Sequence, residues 1–258
     1  MKNIKLIKYV FPSFFGVMTL YAIPFIIAQK YVITSDENLF TSIFNNMGFV
    51  ISFKNTLVFM AIFVPIVVIA GLILAFSTEY LKLGFWVQAA VILPITMPAV
   101  SVAGFFREIS GSNIFKNIIG LYIVGLIFMW GCIGYTYIIF LISLKNRDRT
   151  IEEAAYIDGA GTLRTLFTII IPLHTEAMIL SIIISIYNSL KIFKLTYAIF
   201  GEYPDYRMFM IQNFLHIKLK ELELQTLMEA ADILLLFILV ILLVVMSVGK
   251  QLKKKMLR

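Results

Sequence analysis

Long apolar runs separated by short polar stretches dominate this chain. Six of them carry few or no charges and reach the length of about 20 residues that a membrane-crossing helix needs. They cover residues 9–29, 55–78, 83–106, 117–144, 177–200 and 230–249. Lipid offers the backbone no hydrogen bonds, and the alternating pattern of a β-barrel is absent, so the runs are predicted to be helices. The pattern therefore predicts an all-α polytopic membrane protein with about six transmembrane helices.

Composition supports a membrane protein and excludes a large domain outside the bilayer. Of the 258 residues, 60% are hydrophobic and only 14% are charged, too apolar a balance for a soluble domain. We therefore expect a single transmembrane domain over residues 1–258. The formal charge of +7 does not indicate nucleic acid, because the basic residues flank apolar runs and form no arrays with interleaved aromatics.

The distribution of basic residues predicts the orientation. With a cytoplasmic N-terminus and six spans, thirteen Lys and Arg fall on the cytoplasmic side, close to the span ends, and nine fall elsewhere. This bias places both termini and the loop 145–174 in the cytoplasm. The first apolar run is long, and no small-x-small cleavage site follows it before Gln29 and Lys30, so we expect an uncleaved first span.

The cytoplasmic loop between the fourth and fifth spans has the residues of two short helices. Thr150 and Glu153 fit a capping box at the start of the first helix. Gly159 suits the left-handed conformation that ends a helix. A second helix is expected from Thr162 to Ile171 and should be ended by Pro172. From these residues alone, a loop shaped only for topology remains as good an interpretation as a docking surface.

The spacing within this loop resembles the EAA loop of bacterial ABC-importer permeases. Glu-Ala-Ala begins at Glu153, Gly159 follows after three residues, and Ile-x-x-Pro ends at Pro172 after nine more. Ile171 stands where the family usually has Leu. The resemblance implies the type I ABC importer permease fold and a loop that docks on a cytoplasmic ATPase. The contact residues it implies are Glu153, Ala154, Ala155, Asp158, Gly159 and Ala160.

Further segments resemble the carbohydrate-uptake branch of that family, specifically the F-type half of maltose permeases. They are the double-proline segment 92–100, the pair Phe106–Arg107, and the stretches 189–193 and 201–204. The chain ends in a Lys cluster and lacks the tail typical of the G-type half, so we expect one half of a heterodimer. The resemblance implies a bacterial cytoplasmic membrane location, a second permease, an extracytoplasmic solute-binding protein, and an ATPase dimer that binds ATP and Mg.

Counting from the loop, the resemblance also suggests residues of the solute path. The candidates are Tyr135, Ser185, Asn188 and Ser189, with Cys132 and Ile192 departing from the polar pattern of sugar permeases. Each of these polar groups could instead hold helices together. Lys191 either extends its amine outward or meets an anionic group of the solute, and the neighbouring Lys194 favours the first. Pro94 and Pro98 are expected to bend the third span and to shape a cavity or gate there.

Several chemistries have no support in the sequence. A phosphate-binding Gly-x-x-x-x-Gly-Lys-Ser/Thr loop is absent, so the chain is predicted to be no enzyme and to bind no cofactor itself. His174 and His216 have no ligand partners at useful spacing, so no metal site is expected.

The sequence predicts an importer permease for a sugar or oligosaccharide. A permease for another solute such as a polyamine is the first alternative. A stand-alone secondary transporter would favour inverted repeats and midplane ionisable residues, which are not evident.

Overall fold

The computed structural model describes residues 11–33, 43–114, 119–147, 150–161 and 165–256. In these ranges the chain is helical and contains no strand, which confirms the all-α prediction. The labelled helices are α1 (Ile23–Ile33), α2 (Met47–Tyr80), α3 (Phe85–Ile92), α4 (Ala99–Ile114), α5 (Ile119–Lys145), α6 (Thr150–Ile157), α7 (Thr175–Leu190), α8 (Phe193–Phe200), α9 (Ile211–Lys220) and α10 (Leu224–Met256).

Six helical stretches in the described ranges have the length and apolarity to cross a membrane, if one bent pair counts as a single span. They are Phe11–Lys30, Met47–Tyr80, the pair Phe85–Thr96 and Ala99–Glu108, Leu121–Lys145, Thr175–Phe200, and Leu224–Leu252. The prediction of about six transmembrane helices is thereby confirmed. Two of these helices extend beyond the predicted apolar runs, because a charged residue such as Lys54 or Glu229 ends a hydrophobic run without ending a helix.

The third span is sharply bent. A 3₁₀ turn at Leu93–Thr96 follows α3, Met97 is extended (φ −81°, ψ 127°), and α4 then leaves at 94° to the first segment. Pro98 disfavours a helical conformation at Met97, because its ring crowds the preceding residue. The predicted proline bend is therefore confirmed.

The contacts divide the chain into two compact units, which interrupt each other in sequence. The smaller unit comprises residues 1–50 and 214–236, and the larger comprises residues 51–213 and 237–258. The single transmembrane domain expected over 1–258 stays a prediction.

Polar side chains and aromatic rings link the described elements of the smaller unit. The Gln29 side-chain amide donates a 2.9 Å hydrogen bond to Asp232, and the rings of Phe49 and Phe214 meet edge to face at 5.9 Å. Lys218 pairs with Glu221 at 2.8 Å and with Glu223 at 2.9 Å. Burial lowers the pKa of Lys218, but the hydrogen bonds to these two carboxylates outweigh it, so the net shift is upward.

Helix α5 is the centre of the larger unit. It packs against α2, against α3 with the following 3₁₀ turn, and against α7. Glycines allow some of these close approaches. A Cβ on Gly71 of α2 would lie 2.0 Å from Thr136 Oγ1, and a Cβ on Gly134 would lie 2.9 Å from the carbonyl oxygen of Val91. Thr136 uses the short distance to donate a 3.1 Å hydrogen bond to the Val67 carbonyl.

Gly71→Val should destabilise the packing of α2 on α5. The added side chain overlaps Thr136 and comes within 3.0 Å of the Tyr137 backbone, and overpacking of this kind costs about 1–3 kcal/mol. We expect a lower melting midpoint, measured as heat-induced loss of the monodisperse size-exclusion peak in detergent. Gly104→Val is the matched control, because a Cβ at Gly104 has no neighbour within 4 Å. Equal midpoints for the two variants would contradict the close-packing account.

Candidate solute path and docking loop

A cavity of about 240 Å³ lies within the larger unit, where the bend of the third span faces α5 and the junction of α7 with α8. Its lining combines aromatic, amide and cationic side chains with apolar ones. The residues that give it its chemistry are Trp130, Tyr135, Asn188, Lys191 and Lys194. Aromatic faces beside hydroxyl and amide groups suit a hydroxylated solute, since buried polar groups fix the orientation of a ligand in a largely apolar pocket.

The break between α7 and α8 brings the polar side chains to this cavity. Helix α7 ends at Leu190, Lys191 leaves helical geometry (φ −81°, ψ 0°), and α8 begins at Phe193. The amides of Lys191, Ile192 and Lys194 donate to carbonyls three residues earlier, at 3.0, 3.3 and 3.2 Å. These three amides are therefore satisfied within the chain, so we expect polar contacts with a solute to come from side chains.

The structure separates the four predicted path residues into two pairs. Tyr135 and Asn188 line the cavity. Ser185 and Ser189 do not, and each is only 1% exposed. The Ser189 hydroxyl donates to the Ile186 carbonyl at 2.7 Å, as expected for a serine within a packed helix. A role for the two serines in the path stays a prediction, with helix packing as the simpler account.

Trp130 and Lys194 are lining residues that the sequence reasoning did not propose. Trp130 stands five residues before Tyr135 on α5, a separation that does not place two side chains on one helix face, so the sequence offered no signal for it. Trp130 also borders an adjoining apolar crevice of about 480 Å³. The other residues of the crevice are Met97, Pro98, Ser101, Val102, Phe105 and Phe106. The cavity with the polar side chains and the apolar crevice therefore meet at the proline bend.

The docking loop contains the predicted first helix and its predicted end. Helix α6 covers Thr150–Ile157, and Gly159 has a φ of +82°. The Ala160 amide donates to the Ala155 carbonyl at 2.9 Å, which is the long bond of a Schellman C-cap. The prediction for Gly159 as a helix end is confirmed, whereas the capping contact of the Thr150 hydroxyl stays a prediction.

The second half of the loop differs from its prediction at its end. Residues 162–164, where the second helix was expected to begin, lie outside the described residues. A π-helical turn at Leu166–Ile170 continues into the single turn Ile171–Leu173, and the interruption comes at His174 (φ −97°, ψ 23°). Pro172 was wrongly expected to end this helix. It lies in the first turn of its segment, where proline is tolerated.

The six residues that the resemblance assigns to ATPase contact are accessible to different degrees. Glu153, Ala154, Asp158 and Gly159 are exposed, and Ala155 and Ala160 are partly buried. Ile157, which was not among them, is 85% exposed. An isoleucine this exposed beside small residues gives the loop an apolar contact point. The sequence feature that could have indicated this contact point is Ile157 itself, an apolar residue just before the polar turn at Asp158 and Gly159.

A buried ion pair lies just before the docking loop. The Arg147 guanidinium is 4.0 Å from the Glu79 carboxylate, with side chains only 3% and 9% exposed. Arg147 also donates to the Tyr80 hydroxyl at 3.1 Å and to the Leu144 carbonyl. These contacts attach the end of α5 to the end of α2. The sequence analysis counted Arg147 only as a charge that sets topology.

Comparison with known families defines the class of this protein. The family model for the inner membrane component of binding-protein-dependent transport systems matches residues 39–258. The match covers most of the chain, and the chain belongs to this family.

Particular relatives share part of their length with this chain. The sn-glycerol-3-phosphate transport system permease protein UgpA of Yersinia enterocolitica is 27% identical over 199 residues, which are 70% of this chain and 63% of that protein. The xylose/arabinose import permease protein XacH of Haloferax volcanii is 25% identical over 191 residues, which are 66% of this chain and 60% of that protein. The chain thus spans less than two thirds of the length of these relatives.

Solved structures match over nearly the whole chain. A chain of a bacterial ABC transporter involved in the import of the acidic polysaccharide alginate superposes with a TM-score of 0.72 and 18% identity, covering 97% of this chain and 99% of its own. The same kind of match, with a TM-score of 0.77 and 18% identity, is found in an alginate ABC transporter in complex with an alginate pentasaccharide-bound periplasmic protein, covering 98% and 96%. The ABC importer permease fold is confirmed.

Proposed function

We propose that this chain is a permease subunit of an ATP-driven, binding-protein-dependent importer for a sugar or sugar derivative. The observation that carries this proposal is the cavity between the proline bend and the α7–α8 break. Polar side chains at discontinuous helices are typical of transport sites in membranes, because they need not face lipid. The names of the relatives, which concern glycerol phosphate, pentoses and alginate, support a hydroxylated solute.

Energy for transport comes from partner subunits in this proposal. A cytoplasmic ATPase dimer binds ATP and Mg, and one ATPase docks on the exposed surface of α6 and Gly159. A second permease completes the path, and an extracytoplasmic solute-binding protein delivers the solute. Both termini and the docking loop lie on the cytoplasmic side of the bacterial inner membrane. The chain itself performs no catalytic step.

The connection from docking loop to cavity runs through the helices on either side of the loop. Helix α5 precedes the loop and supplies Trp130 and Tyr135 to the cavity, whereas α7 follows it and carries Asn188. Movement of the loop therefore acts on two walls of the cavity. The Arg147–Glu79 pair holds the end of α5 on α2, so the movement is transmitted through a packed element rather than lost in a loose hinge.

A polyamine or another cationic solute is the less favoured substrate. Two lysines line the cavity, and like charges repel a cation there. A stand-alone secondary transporter also has less support, because the chain belongs to a family of multi-component transport systems.

Purification of the tagged chain from its native membrane in mild detergent tests the proposal. We expect mass spectrometry to find an ATPase with phosphate-loop motifs and a second six-span permease in the same size-exclusion peak. A vesicle preparation of this complex should import solute only with ATP. A chain that purifies alone, or only with copies of itself, and still transports without ATP would overturn the proposal.

A further inference from the structure

The lining of the cavity is positively charged. Lys191 and Lys194 both contribute to it, and none of the lining residues that the structure describes is acidic. Within the described residues, neither ammonium group has a carboxylate oxygen within 4.0 Å, in contrast to Lys218, which has two. No carboxylate in the described part of the chain therefore neutralises the two lysines that line the cavity.

Aromatic contact holds one of these cations in place. The Lys191 ammonium lies 3.9 Å from the centroid of the Tyr187 ring, a cation–π geometry that orients the side chain. Such a contact leaves the net charge unchanged. Because unpaired charges in a membrane protein are costly, they are found where they face water, a counter-ion or a substrate.

The neighbouring residues explain how an anion would be recognised. Asn188 lies on the last turn of α7, three residues before Lys191, and lines the same cavity. Tyr135 and Trp130 approach from α5. The two cations, an amide and two aromatic side chains thus border one space of about 240 Å³, slightly below the usual range of small-molecule pockets and suited to one sugar-sized unit.

We propose that this cavity selects a solute with an anionic group, a carboxylate or a phosphate, on a hydroxylated body. The anion is bound by Lys191 and Lys194, and the hydroxylated body meets Asn188, Tyr135 and Trp130. The inference rests on the proposed function and specifies its substrate class. It replaces the expectation that Lys191 merely extends towards the outer surface, because both lysines share the cavity with the other polar candidates.

The charge of the cavity can be measured with a single reporter cysteine. Gly131 lines the cavity, and a Cβ at this position has no neighbour within 4 Å. Gly131→Cys in a Cys132→Ser background therefore gives this chain one accommodated thiol, since Cys132 is its sole native cysteine, and any cysteines of the partner subunits are replaced as well. The purified transporter complex is placed in phosphatidylcholine vesicles, and the thiol reacts with an anionic or a cationic methanethiosulfonate. The ratio of the two rates reports the local potential.

We expect Lys191→Gln with Lys194→Gln to lower the anion-to-cation rate ratio about ten-fold or more, from the Coulomb energy of two nearby charges. Lys191→Arg with Lys194→Arg should preserve the ratio, which separates charge from disturbed packing. Lys145→Gln is the matched control, because Lys145 lies fourteen residues along α5 from the reporter, about 21 Å at 1.5 Å per residue and beyond the screening length. An unchanged ratio in the Gln double variant would overturn the inference.

The same reporter thiol tests whether a solute occupies the cavity, because a bound solute slows labelling of the thiol. Glucuronate and glucose 6-phosphate are compared with neutral glucose at equal concentration and ionic strength. Slower labelling by either anion, lost in the Gln double variant and not produced by glucose, supports the inference, and the effective anion identifies a carboxylate or a phosphate. Equal protection by glucose overturns anion selectivity but leaves the importer proposal standing. No protection, with a rate ratio that follows added phosphatidylglycerol, would assign the lysines to lipid headgroups and overturn the inference.

Discussion

Gly159→Val is expected to leave the chain inserted in the membrane but to remove the ATPase from the purified complex. Gly159 has a φ of +82° at the end of α6, and a β-branched residue there costs about 1–3 kcal/mol. Helix α6 has only eight residues, so loss of its C-cap disturbs the whole docking surface. Because 1.4 kcal/mol corresponds to a factor of ten, ATP-driven uptake should fall about ten-fold or more.

Gly161→Val separates this effect from simple bulk. Gly161 is also exposed and its Cβ would have no neighbour within 4 Å, but its φ is not in the left-handed region. We expect this variant to retain the ATPase in pull-down and to transport nearly as well as the native chain.

Glu153→Lys, which reverses an exposed charge on α6, should weaken the ATPase contact, as Gly159→Val does. Normal uptake and retained ATPase in both Gly159→Val and Glu153→Lys would refute the docking role of the loop.

Arg147→Met should cause the largest loss of stability. The substitution removes the Arg147 guanidinium from Glu79, whose side chain is 9% exposed, and breaking one half of a buried pair typically costs about 3–5 kcal/mol. It also removes the hydrogen bonds to Tyr80 and Leu144. We expect a clearly lower melting midpoint in detergent and weaker coupling of ATP hydrolysis to uptake, since the end of α5 is no longer attached to α2.

Two further variants identify the cause of this loss. Arg107→Met removes an exposed arginine and should change the midpoint little. Arg147→Met combined with Glu79→Gln should recover part of the stability, because no carboxylate then remains buried without the Arg147 guanidinium. A double variant no more stable than Arg147→Met alone would show that packing of the guanidinium, rather than its charge, holds the two helix ends together.

Local rules in the sequence were enough for much of this architecture. Apolar runs of sufficient length must become helices in lipid, so the number and order of spans follow from hydropathy. Pro98 restricts Met97 through its own ring, and Gly159 ends α6 through its own backbone freedom. Each of these features depends on residues close in sequence. The ends of helices were less predictable, as Pro172 illustrates, because a proline in a first turn leaves the helix intact.

The meeting of distant residues could not be read from the same pattern. Helices that are apolar on every side carry no marked polar face, so hydropathy does not set their rotation about the axis. Packing against α5 turns Ser185 and Ser189 into the interior and brings Asn188 towards Tyr135. The pairing of Glu79 with Arg147, across two helices, likewise depends on that packing. The amino-acid pattern thus specifies the helices and the docking loop, whereas side-chain fit between helices, made over long sequence separations, creates the charged cavity.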